Sequence, residues 1–214
     1  MINSYAQNGE DIIIQKFFIG RNPYDCTILD IGANDGVTLS NSRILIEQGW
    51  NACLVEPSPK AFTLLNKLYE LRAGVYCYNY AIGAGSGTQT FYESSEHLGN
   101  GDIALLSTLN EYELKRWEGS GTEFKEIEVE VLSFADFLKI SPIKKFHCIS
   151  IDAEGVDFEI LQQIDISALG CELLVIEWNS LTGLRGQIET YMAKFGFNIQ
   201  GENAENLFFA KIPL

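Results

Sequence analysis

The chain has 214 residues, 46% hydrophobic and 21% charged, a balance that suits one folded domain with its own core and excludes a disordered chain. Its formal net charge is −14, from 15 Lys plus Arg against 29 Asp plus Glu, so most of its surface repels a polyanion and nucleic acid is a poor partner. Five scattered Cys without a CxxC pair, no apolar run near the ~20 residues of a membrane span, and a start without signal-peptide pattern predict a soluble protein of a reducing, cytoplasmic compartment.

In chain order, SYAQNGEDIII (Ser4–Ile14) reads as the start of a capped amphipathic helix. The first strand, Cys26–Ile31, carries Asp30 near its end and runs into Gly32-Ala33-Asn34-Asp35-Gly36, with a helix expected from about Thr38. Glycines at such a turn let backbone approach a ligand, and open parallel sheets bind ligands at this edge. A dinucleotide site wants GxGxxG, but Asn34 and Val37 stand where its second and third glycines belong. Asp30 and Asp35 would repel a pyrophosphate and suit the ammonium of an amino acid. The turn therefore fits an amino-acid-bearing nucleoside without phosphates.

The second strand, Ala52–Glu56, ends in an acid 26 positions after Asp30. Glu56 is a candidate acceptor for both ribose hydroxyls. Pro57 and Pro59 stop that strand and help start a helix over Ser58–Leu71, with Phe62, Leu65 and Leu68 on one face. A third strand, Val75–Ala81, runs into a small-residue turn, where Ala81 and Ile82 suit either an adenine slot or core packing.

From Gly83 to Gly121 the alternation breaks into a stretch rich in Gly, Ser and Asn. Gln89–Glu93 reads as an extra strand and Leu109–Trp117 as a short helix. Long irregular insertions are usually functional or mobile, and this one is a candidate lid over the acceptor site. It also carries His97.

Ile127–Leu132 reads as a strand, and so does His147–Asp152, which ends in Asp152 with Glu154 and Asp157 close behind. A helix over Gly155–Ile164 follows, then a strand at Leu173–Trp178 with Glu177, Trp178, Asn179 and Ser180 at its end, then a helix over Arg185–Phe195. The last stretch reads as strand, polar turn and strand (Leu207–Lys211), an antiparallel pair closing the sheet. The whole is an α/β chain with a mainly parallel sheet. Residues 1–214 read as a single domain, with 83–121 as its insertion.

Strand-end acids suggest chemistry. Asp152 and Glu154 are the candidate general bases, or, with Glu177, oxygen ligands for a divalent cation. His147 opens its strand and reads as structural. His97 reads as an exposed loop residue.

These segments resemble the FkbM family of class I methyltransferases. The shared pieces are SYAQNGEDIII, LDIGANDGVTLSNS, CLVEPSP, NYAIG, STL, ISIDAEGVDFEIL and LLVIEWN, in the family's order and across most of the chain. The resemblance implies a seven-stranded Rossmann-like sheet with an antiparallel last strand and helices on both faces. It implies methyl transfer from S-adenosylmethionine, usually to a hydroxyl of a sugar, glycan or small molecule. By that likeness Asp30, Gly32, Ala33, Asn34, Asp35 and Gly36 would surround the methionine part, Glu56 and Pro57 the ribose, and Ala81 and Ile82 the adenine. Gln7, Asn8, Glu10 and Asp11 would pack beside the cofactor. The alternatives are an NAD-dependent oxidoreductase, which the failed glycine pattern disfavours, and a non-catalytic nucleotide-binding protein of the same fold.

Overall fold

The structure is a computed structural model, and it describes residues 4–179 and 181–211. Helix α1 (Glu10–Phe17) precedes strand β1 (Thr27–Ile31); α2 (Arg43–Gln48), β2 (Asn51–Val55), α3 (Pro59–Tyr69) and β3 (Val75–Tyr78) follow. Next come β4 (Ala81–Ile82), β5 (Gly87–Ser94), β6 (Phe124–Leu132), α4 (Phe134–Ile140) and β7 (Cys148–Ile151). The chain continues with α5 (Asp157–Leu161), β8 (Leu173–Glu177), α6 (Thr182–Ala193), β9 (Asn198–Glu202) and β10 (Asn206–Ala210).

Seven strands form one sheet in the order β3-β2-β1-β7-β8-β10-β9. Strands β3 to β8 in that order pair in parallel, and β10 runs antiparallel to both neighbours. The central strands are buried on both faces, as continuous apolar runs such as LLVIE require. Alternate residues feed two cores. Leu29, Val55, Ile149 and Ile176 pack with Phe137, Leu161 and Ile188 from α4, α5 and α6. Ile28, Leu54, Cys148 and Val175 pack with Ile14, Leu45 and Leu65 from α1, α2 and α3. Helices therefore cover both faces of the sheet, and the carboxyl ends of β1, β2, β7 and β8 meet at one edge, where the chain leaves β1 and β7 toward opposite faces and a crevice opens above them.

Several local expectations are corrected. The helix expected near Thr38 begins at Arg43. Asp35 Oδ1 accepts the N–H groups of Val37 and Thr38, which holds that stretch as a turn. On α3 the buried face is Ala61, Leu65 and Tyr69, and Leu68 is exposed. The strand expected over Val75–Ala81 is two strands. Asn79 Nδ2 donates to the carbonyls of Glu56 and Pro57 at the break, and Ala81 leaves for another sheet.

The segment Ile127–Leu132 belongs to that other sheet, not to the βαβ alternation. Its order is β4-β6-β5, with β5 and β6 antiparallel along their length. Phe91, Val129, Val131 and Ala81 give it a small core. The insertion hangs from this sheet. It carries a 3-10 helix at Glu111–Trp117 and pairs Thr108 with Tyr92. No helix among the described residues is long and apolar enough to cross a membrane.

Candidate active site

The main cleft opens at the carboxyl edge of the sheet and is roofed by the insertion. Its floor begins where β1 ends. The N–H groups of Gly32 and Ala33 both donate to the Val55 carbonyl, and the chain turns back through Gly36. Gly32 has φ +89, and a Cβ there would stand 1.7 Å from the Asp152 carbonyl oxygen. Only glycine lets β1 and β7 exit this closely.

Glu56, at the end of β2, is buried, with 4% of its surface exposed. Its Oε2 accepts the Asn34 N–H at 2.9 Å and its Oε1 the Ser58 N–H at 2.7 Å. Burial raises its carboxyl to about 7, against the pull of those two hydrogen bonds. Beside it, Pro57, Tyr80, Ala81, Ile82, Phe91 and Leu106 make a slot that is mostly apolar.

The opposite end of the cleft is acidic. Asp152 follows β7 and Glu154 comes two residues later. Both keep some exposure to the cleft. Asp157, in the first turn of α5, accepts the N–H groups of Ala153 and Gly155 at 2.7 and 3.0 Å and so fixes the turn that presents them. The insertion grips the same turn: Thr108 Oγ1 donates to the Glu154 carbonyl at 2.6 Å. Glu177, at the end of β8, completes the group. One carboxylate oxygen from each of Asp152, Glu154 and Glu177 lies within 4.8 Å of the others. Burial, then the mutual repulsion of the acids, raises Asp152 to about 8 and lifts Glu154 and Glu177 well above the usual carboxylate range.

The N-terminal segment closes one side. Glu10 accepts the Asn8 N–H and both the Asn203 and Asn206 side-chain amides. Gln7 and Asn8 donate to Glu205. Gln7 and Glu10 thus face the cleft through a clamp on the β9–β10 turn. Asp11 instead accepts from Ser4 Oγ and the Tyr5 N–H, shaping the segment from outside the cleft.

Of the residues singled out in the sequence, the cleft is lined by Gln7, Glu10, Gly32, Asn34, Glu56, Pro57, Ala81, Ile82, Asp152, Glu154 and Glu177. Asp30, Ala33, Asp35 and Gly36 stand behind it. Asp30 shares the β1 face of Ile28 and accepts from Ser42 Oγ at 2.6 Å, while Asp35 caps its own turn. Burial raises Asp30 to about 6. His97 lines the roof, with Nδ1 2.9 Å from Thr122 Oγ1 and its ring edge-on to Trp117. His147 is 3.1 Å from the Thr27 N–H, far from this edge. Ser180 lies outside the described residues.

Sequence reasoning missed Glu205, Asn206, Leu39 and Ala104, which also line the cleft. Backbone conformation marks part of that set. The non-glycine residues with positive φ among those described are Asn34, Leu39, Ala104, Glu154 and Asn179, and all of them line the cleft. Each such residue costs of order 1 kcal/mol or more, and such strain clusters at functional sites. Asn is the one signal readable beforehand, since it tolerates this conformation best.

A parallel sheet with a reversed last strand, a glycine bend without a phosphate fingerprint and acids ending three strands together make a Rossmann-like α/β fold with its cleft at the switch point. The profile described as the methyltransferase FkbM domain matches residues 30–199. The chain belongs to that family.

Two solved structures are similar in fold. One is the methyltransferase FkbM from Methylobacillus flagellatus (TM-score 0.60, 12% identity), where the match covers 97% of this chain and 48% of that one. The chain thus spans about half the length of that relative. The other is the N-terminal domain of human METTL16 (TM-score 0.52, 10% identity), covering 98% of this chain and 71% of that one. No curated protein gives a significant match.

Proposed function

We propose that residues 1–214 form one catalytic unit that binds S-adenosylmethionine in this cleft and methylates a hydroxyl oxygen of a small-molecule or glycan acceptor. The observation that carries the reading is the Gly32–Glu56 floor. It offers a glycine bend, a buried carboxylate and an apolar slot in sequence along one wall, without a phosphate cradle. An adenosyl amino acid matches that order: amino acid beside Gly32 and Asn34, ribose on Glu56, adenine between Ala81, Ile82 and Phe91. The orphaned Asn34 Oδ1 and Asn206 Oδ1, both buried and facing the cleft, add acceptors with no hydrogen-bond partner among the described residues.

When bound, S-adenosylmethionine supplies a methyl group on a positively charged sulfur, and its displacement by an acceptor oxygen leaves S-adenosylhomocysteine. The protein's share is position and charge. The acidic end suits a cationic centre and a hydroxyl donor, and disfavours a phosphorylated acceptor or a nucleic acid. Asp152, exposed to the cleft at the end of β7, is the candidate to take the acceptor's proton when ionised. The insertion, through Thr108, His97 and Trp117, serves as the lid that keeps water out.

Isothermal titration with S-adenosylhomocysteine and with NADH tests the cofactor. Micromolar binding of the first alone is expected, and tight NADH binding alone would overturn the reading. Release of S-adenosylhomocysteine with a panel of sugar, lipid and small-molecule alcohols tests the chemistry. Methylation confined to amines or RNA would remove the hydroxyl acceptor, and no turnover with any acceptor would favour a binding protein.

Glu56→Ala is expected to weaken S-adenosylhomocysteine binding by ~1–3 kcal/mol, because it removes a charged acceptor and leaves the Asn34 and Ser58 N–H groups unpaired. Glu56→Gln separates the two effects, and unchanged calorimetric affinity in both variants would take Glu56 out of the site. Asp152→Asn is expected to lower kcat by tenfold or more, with cofactor affinity changed much less. Equal loss in both would make Asp152 a binding residue.

A further inference from the structure

The acidic end of the cleft is more than the proposed cofactor needs. Asp152, Glu154 and Glu177 bring three carboxylates together with ligand oxygens within 4.8 Å. Among the described residues no Lys or Arg forms an ion pair with any of them. Arg116, the cation whose field reaches Glu154, is engaged elsewhere: its Nη1 lies 3.5 Å from Glu113 and its guanidinium stacks on Trp117.

A second observation is independent of the clustering. Glu177 is only 6% exposed, yet its Oε2 is buried with no hydrogen-bond partner among the described residues. Glu154 Oε2 is buried and unpartnered in the same way, and both face the cleft. A buried carboxylate oxygen without a partner costs several times what a hydrogen bond contributes. Two such oxygens, on neighbouring carboxylates that line one cleft, suit a positive ligand.

We propose that Asp152, Glu154 and Glu177 hold a hard divalent cation, Mg²⁺ or Mn²⁺, that binds the acceptor hydroxyl. The ligands are all carboxylate oxygens, which select hard ions over thiophilic ones. Three protein ligands leave positions of an octahedron for water and for the acceptor oxygen. The cation lowers the pKa of that hydroxyl. The hydroxyl proton passes to solvent or to the free oxygen of a ligating carboxylate. The oxygen then forms its bond to the methyl carbon while the carbon–sulfur bond breaks and its electron pair stays on sulfur. No redox change occurs, and the cation is not consumed. This inference deepens the reading of the cleft as a methyl-transfer site and rests on it for the role of the ion, not for its binding.

The test is Mn²⁺ titration of the protein followed by electron paramagnetic resonance, with and without S-adenosylhomocysteine. Loss of the free-ion signal at one equivalent is expected. Glu177→Gln and Asp152→Asn should each weaken Mn²⁺ binding tenfold or more, and excess Mg²⁺ should displace the bound Mn²⁺. S-Adenosylhomocysteine affinity of Glu177→Gln, kept within a few-fold, shows that the fold and the cofactor pocket survive. Absence of Mn²⁺ binding at millimolar concentration, or binding that both variants leave unchanged, overturns the cation site. Mn²⁺ binding lost in the variants, with no S-adenosylhomocysteine binding by the parent, would uphold the cation site and overturn the cofactor reading instead.

Discussion

Gly32→Ala is expected to cost about 3 kcal/mol or more of stability and to remove measurable S-adenosylhomocysteine binding. Two effects add. The residue sits at φ +89, where an L side chain pays roughly 1–2 kcal/mol. Its Cβ would also lie 1.7 Å from the Asp152 carbonyl oxygen and 2.8 Å from the carbonyl carbon. That neighbour is backbone and has no rotamer with which to retreat. Nor can the strands part, because Ile31 and Ile151 pair one residue below and the Asp152 N–H donates to the Ile31 carbonyl. Relief must come from breaking the end of the β1–β7 ladder, where both halves of the cleft are anchored. Gly20→Ala is the control. Gly20 has nearly the same φ, +85, but open space around its added Cβ. It isolates backbone strain and should cost about 1 kcal/mol. Urea denaturation of both variants, with calorimetry for the cofactor product, decides the matter. Equal destabilisation by the two would mean that the close approach at Gly32 relaxes freely and does not shape the site.

That contact also shows where sequence reading stops. Glycine at the end of an apolar strand is legible as a turn that admits a ligand. The partner that forbids a side chain at Gly32 is Asp152, 120 positions away, and no local pattern reveals the pair. The same limit explains Asp30 and Asp35. Acids beside a glycine turn look like ligand contacts, but strand parity sends Asp30 toward Ser42, just ahead of α2, and Asp35 is consumed by the N–H groups of Val37 and Thr38.

Long-range closure hid other residues for the same reason. Glu205, in the hairpin turn, and Asn206, the first residue of β10, belong to a polar stretch that reads as solvent-exposed. They become part of the cleft only because Gln7, Asn8 and Glu10 reach across from the other end of the chain. By contrast, strand ends in a parallel sheet all arrive at one edge, so Glu56, Asp152 and Glu177 could be gathered from periodicity alone. The small second sheet was only half legible. β6 is apolar at alternate positions (Ile127, Val129, Val131), which shows a strand but not which sheet it joins, and β5 lacks even that alternation.

The protein without ligand is expected to lose stability as the pH rises from about 4 to about 7, against the usual acid-denaturation trend of paired carboxylates. Asp30 and Glu56 are each only 4% exposed. Burial is the leading cause that raises them to about 6 and about 7. In the unfolded chain both titrate near 4. Between these limits the folded state binds more protons at these two groups than the unfolded state does, so their contribution to stability falls with rising pH and levels off above the folded values. A pKa unit corresponds to about 1.4 kcal/mol, so the two groups together are worth about 6 kcal/mol as an upper bound. Asp30→Asn removes one of them while keeping a hydrogen-bond acceptor for Ser42. Its destabilisation should therefore be smaller at pH 8 than at pH 5, read from urea curves at both. A larger loss at pH 8 would show that ionised Asp30 stabilises the fold. The same sign holds at the acidic end of the cleft, where burial raises Asp152, Glu154 and Glu177 and a cationic ligand would relieve the charge. If Asp152, Glu154 and Glu177 take a divalent ion, its stabilising effect should grow from pH 5 to pH 8, as protons cease to occupy those carboxylates.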